Sequence, residues 1–165
     1  MTADGMCQRT PSILVVRGAF DSLPISDMPE SIQDFPDRES LGRTLGIEIV
    51  EAGPERVVAT MPVGPRVHQP LGYLHGGASV ALAETVVSVG GYLAAPEGHT
   101  AFGMEINANH LRPMREGVLT ATAVPVHVGR TSQVWQADLR DADGHLVCTS
   151  RCTLAIVPLR PDTAA

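Results

Sequence analysis

Two hydrophobic rhythms divide this chain. Residues 47–51 and 56–63 are β-rich runs of the kind that form strands, and 100–110, 118–128, 132–141 and 146–157 are four further strand candidates. Between the second and third lies GGASVALAETVVSVGGYL, residues 76–93, which reads as a helix apolar on nearly every face. Such a helix is normally buried rather than laid on a surface. A short helix at 39–45, ended by Gly46, precedes the first strand. Ala52-Gly53-Pro54 joins the first two strands as a hairpin, and 64–72, with Pro65, His68, Gln69 and Pro70, reads as a loop. Ala95-Pro96 and Gly98 stop the long helix. The later strands break at Arg115-Glu116-Gly117, at Gly129-Arg130 and at Asp141-Ala142-Asp143-Gly144, the last holding the tight-hairpin pair Asp143-Gly144. Two strands, one long helix and then a meander of four strands, which do not alternate with helices, predict an α+β fold: an antiparallel sheet of five to six strands with one long helix packed on a face.

One charge interrupts the long helix. Glu84 sits at its middle, where a carboxylate is costly unless it is paired or put to use. Ser88, four residues on, shares its face. At the helix start, Gly76 and Gly77 place no side chain over the unpaired backbone N–H groups, which carry about half a positive charge. That is a ready site for an oxyanion. Gln69 and His75 lie in the loop leading in. The set suits attack on a polarised carbonyl, with Glu84 either attacking or activating water. The bland alternatives are a buried Glu satisfied by Ser88 or a partner subunit, and glycines that merely let a helix end pack closely.

Composition narrows the choice. The 165 residues suit one domain, spanning 38–160, with an acidic, proline-broken extension at 1–37 and a tail at 161–165. A content of 44% hydrophobic and 18% charged residues is that of an ordinary globular protein. The apolar runs are far short of the ~20 residues that span a bilayer, so no membrane partner is expected. A net charge of −6 argues against nucleic acid. The three cysteines form no disulfide framework, and Cys148 and Cys152 on one strand would stand ~13 Å apart, so the expected compartment is the reducing cytoplasm. There is no Gly-x-Ser-x-Gly elbow, Walker loop, Gly-x-Gly-x-x-Gly or HExxH, and the histidines and cysteines have no zinc-type spacing; no metal is expected.

Gln69, the block Leu74-His75-Gly76-Gly77-Ala78-Ser79 and Ala83-Glu84-Thr85 together resemble the hotdog-fold acyl-CoA thioesterases. The likeness is closest to the branch of phenylacetate-pathway thioesterases, the enterobactin proofreading thioesterase and 1,4-dihydroxy-2-naphthoyl-CoA thioesterase. Asn107-Ala108-Asn109-His110-Leu111-Arg112-Pro113, Glu116-Gly117 and Val128-Gly129-Arg130-Thr131-Ser132-Gln133 are similar to that branch too, and the likeness runs from 40 to 158.

The resemblance implies a hotdog fold, with the sheet wrapped around the helix. It implies Glu84 as nucleophile or general base, the Gly76 N–H as polariser of the thioester carbonyl, Gln69 and His75 as groups that position the thioester and leaving thiol, and Ser88 beside the attacking water. It places His110 and Gly77 in substrate binding, and Arg130, Thr131 and Ser132 against coenzyme A, where an arginine suits phosphate; Arg112 and Arg151 are weaker candidates. The substrate is an aromatic or medium-chain acyl-CoA and no separate cofactor is implied. The minimal unit is a homodimer whose sites draw on both subunits, assembling into a homotetramer. Two alternatives stay open: a hotdog dehydratase or hydratase, whose Gly-His-Phe-Pro motif is absent, and a non-catalytic acyl-CoA-binding protein.

Overall fold

A computed structural model describes residues 39–159. The extension expected at 1–37 and the tail at 161–165 lie outside them. The short helix α1 spans Leu41–Leu45, capped by the Ser40 hydroxyl, which accepts from Arg43 N–H, and closed by Gly46 in the left-handed region (φ 73°). Strands β1 (Glu48–Ala52) and β2 (Val57–Val63) follow as a hairpin. A turn of 3₁₀ helix, Pro65–Val67, lies inside the expected loop. Helix α2 spans Gly76–Leu93, the limits read from the sequence. Strands β3 (His99–His110), β4 (Gly117–Val128), β5 (Ser132–Arg140) and β6 (Leu146–Pro158) complete a six-stranded, wholly antiparallel sheet.

Its order is β1-β2-β4-β5-β6-β3. The last four strands are therefore not a simple meander: β3 leaves α2, crosses to the far edge and pairs with the final strand. Pro125 lies in β4 beyond Ala123, the last residue that β2 pairs with, and opposite Trp135 of β5, where the ladder bulges between Pro125 and His127.

The core lies between α2 and one face of the sheet. Leu82, Ala83, Val86 and Val87 of the helix meet Met61, Leu119, Trp135, Leu139, Cys152 and Leu154. Burial gives α2 a sidedness that its apolar sequence hides. Ala78, Ser79, Leu82, Ala83, Val86, Val87, Val89, Gly90 and Gly91 are buried, whereas Gly77, Val80, Ala81, Glu84, Thr85, Ser88 and Tyr92 form a stripe that the sheet leaves open. Among the described residues no helix is long and apolar enough to cross a membrane.

Candidate active site

The loop before α2 is stitched to the segment after β3. His75 N–H donates to Val67 O (2.8 Å), Leu74 N–H to Met114 O (2.7 Å), and the His68 ring bonds Arg115 O (2.7 Å). The Arg115 guanidinium stacks 4.0 Å over the Tyr73 ring. Gln69 closes the turn through both ends of its backbone and accepts from Leu71 N–H with Oε1, so its carbonyl holds the loop while Nε2 has no acceptor among the described residues.

These contacts fix how the helix begins. His75 is the N-cap, and its Nδ1 accepts from Gly77 N–H at 2.8 Å, which leaves the ring proton on Nε2. The sequence reading left both glycine N–H groups open to a ligand. The imidazole claims that of Gly77, and the N–H of Gly76 is the one without an acceptor among the described residues. Gly76 is a glycine for a second reason: a β-carbon there would stand 2.8 Å from His110 Nε2. The imidazole of His110, at the end of β3, thus lies directly on the helix start.

Glu84 corrects the expectation of burial. It is exposed in the chain and makes no hydrogen bond or ion pair among the described residues. A helix can be apolar in composition and still be uncovered along one side, so within one chain its carboxylate bears little desolvation cost. Oε1 faces β3, 3.0 Å from where a β-carbon of Gly103 would be. Below it, burial pushes the Cys152 thiol up to about 11, with the charges of Glu84 and Glu105 adding to the shift. That thiol stays protonated and is no nucleophile. Ser88 shares the open stripe and is half-buried.

One chain does not bring all the expected residues together. His75, Gly76, Gly77 and His110 cluster at the helix start. Glu84 lies eight residues further on, about 12 Å along the axis at 1.5 Å per residue. Arg130 and Thr131 lie in the β4–β5 turn and Ser132 opens β5, held by Gly129 N–H to Ser132 O (2.9 Å) and Ile156 N–H to Thr131 O (3.0 Å). Gln133 beside them bonds Gly91 O, so this turn lies near the far end of α2, about 22 Å along the axis from Gly76. Sequence reasoning missed Gly103 as the neighbour of Glu84; a glycine inside a strand was the available signal. Asp141, Asp143 and His145 gather at the β5–β6 turn, but the Asp141 carboxylate already accepts from Asp143 N–H, His145 N–H and the His145 ring.

Residues 71–148 match the thioesterase superfamily. The chain is 46% identical over 116 residues to the 1,4-dihydroxy-2-naphthoyl-CoA hydrolase of Listeria monocytogenes, covering 70% of this chain and 94% of that one. It is 46% identical over 113 residues to the proofreading thioesterase EntH of Cronobacter turicensis, covering 68% of this chain and 82% of that one. A solved thioesterase of Haemophilus influenzae superposes with a TM-score of 0.72 at 50% identity, covering 76% of this chain and 88% of that one. The PaaI protein of Escherichia coli, at 24% identity and a TM-score of 0.66, shares the fold. With the six-stranded sheet, the single long helix and the free N–H at its start, these likenesses place the chain in the thioesterase superfamily as a hotdog-fold thioester hydrolase.

Proposed function

We propose that the protein hydrolyses an aromatic or medium-chain acyl-CoA to the free acid and coenzyme A, at sites built from two copies of the chain. The observation that carries this reading is a carboxylate without a partner among the described residues, on the open stripe of a helix whose start offers one N–H that no described residue claims. Both groups must lie within about 3 Å of one thioester, yet along one helix they stand about 12 Å apart. A second helix, running antiparallel against the open stripe, brings Gly76 of the partner subunit level with Glu84. Equal spacing then centres the two-fold on Val80, midway between them, where Gly77 and Ala81 allow close approach. The exposed outer edge of β3, with Phe102 and Met104, offers a second surface for the same partner.

In that site the Gly76 N–H takes the oxyanion as the carbonyl carbon becomes tetrahedral. As a base, Glu84 removes a proton from water whose oxygen bonds to that carbon; as a nucleophile, it bonds directly and water later cleaves the anhydride. Either way the C–S bond breaks and the thiolate leaves to take up a proton. Nε2–H of His75 and Nε2 of Gln69 are donors for the thioester and the leaving sulfur. Ser88 steadies the water, and His110 borders the acyl group. Arg130, Thr131 and Ser132 meet coenzyme A, whose phosphates an arginine can grip. A cytoplasmic homotetramer built from such dimers completes the reading.

The test is thiol release from a panel of acyl-CoA esters that includes benzoyl- and hydroxybenzoyl-CoA. Hydrolysis by the wild type and its loss in Glu84→Ala are expected. No turnover across the panel, or an undiminished rate in the variant, overturns the reading.

A further inference from the structure

We propose that Gly103 is a positioning residue for the Glu84 carboxylate, the side chain missing from β3 being the seat in which Oε1 rests. The inference rests on the reading of Glu84 as the catalytic carboxylate. Gly103 is absent from the glycines with positive φ, so the backbone does not demand glycine there. A glycine inside a strand weakens it through added unfolded-state entropy and marks a place where another group comes close. Among the described residues, and apart from its chain neighbours, the group within 4 Å of a β-carbon built on Gly103 is Glu84 Oε1, at 3.0 Å. The β3–β6 register slips between Gly103 and Glu105, and such bulges re-aim a strand beside a site. An alanine would need the carboxylate to yield by a few tenths of an ångström.

The experiment measures kcat, KM and thermal melting for G103A with the acyl-CoA ester that the wild type hydrolyses fastest. Misplacing a reacting group is expected to lower kcat by about tenfold to a hundredfold, with KM within about twofold and melting unchanged or raised. In an E84D background the carboxylate is withdrawn by one methylene, so adding G103A should bring no further loss of kcat. Wild-type kcat in G103A, or the same fractional loss in both backgrounds, overturns the proposal while leaving Glu84 catalytic. Full activity in Glu84→Ala instead overturns the reading beneath it. If G103A fails to fold but E84D/G103A folds, the clash is with Glu84 and the proposal stands; if neither folds, the strand needs the glycine for itself and the proposal falls.

Discussion

Trp135 rests against Gly90 so closely that a β-carbon on the glycine would stand 2.6 Å from Cη2 and Cζ3 of the indole. The indole is fully buried and has nowhere to retreat. Helix propensity favours Gly90→Ala by about 1 kcal/mol. Overpacking opposes it by about 1–3 kcal/mol, and an aromatic ring closed in by core makes the upper part of that range apply. Gly90→Ala is therefore expected to destabilise the fold in chemical denaturation, with the slope unchanged; a gain in stability would show that the indole can move aside.

The end of α2 depends on one buried amide. Ala94 N–H bonds Gly90 O and Ala95 N–H bonds Tyr92 O, so Gly91 O is left for Gln133 Nε2 at 3.3 Å. Gln133 Oε1 in turn accepts from Trp135 Nε1–H at 2.8 Å. Gln133→Leu keeps the volume but strands both groups, at about 1–3 kcal/mol for each buried polar group left unpaired. The melting midpoint should fall accordingly, and an unchanged midpoint would mean that water replaces the amide.

His75 caps α2, the proposed mechanism gives it a chemical duty as well, and substitution separates the two. His75→Ala loses the cap to Gly77 N–H, worth about 1 kcal/mol. His75→Asn restores a capping oxygen but has no imidazole Nε2–H. Asn should match the wild type in stability and remain well below it in thiol release. Equal activity of Asn and wild type would confine His75 to capping.

Cys152 predicts an alkaline limit. The folded thiol titrates near 11 against an ordinary 9.0, so between those values the native chain holds a proton that the unfolded chain releases. The contribution to stability is complete below pH 9 and is lost as pH rises towards 11. The chain has no lysine to obscure this window. Cys152→Val should flatten the fall of denaturation midpoint with pH; an identical slope would assign the fall to other groups.

The sequence carried much of this fold because its signals are local. The limits of α2 follow from Gly76 at one end and Ala95-Pro96 at the other, and the strands lie within a residue or so of their alternating runs. What was not legible depends on distant partners. Nothing in residues 99–110 says that they pair with Leu146–Pro158, and nothing in Gly90 says that an indole from β5 lies on it. At the site, the residue types were readable from Gln69 to Ser88, but coverage was not. Val80 and Ala81 are as apolar as Val86 and Val87, yet only the latter pair faces the sheet.

The strand order also sets a timetable for biosynthesis. β3 emerges from the ribosome directly after α2, but residues 111–145 must follow before its partner β6 begins to appear. Until then Phe102 and Met104 sit on a strand with neither edge occupied, beside a helix whose floor lacks Cys152 and Leu154. The nascent chain therefore exposes α2 and the apolar side chains of β3 together while residues 111–145 are being made. Chains truncated before Leu146 would be strong clients for chaperones that bind unpaired strands.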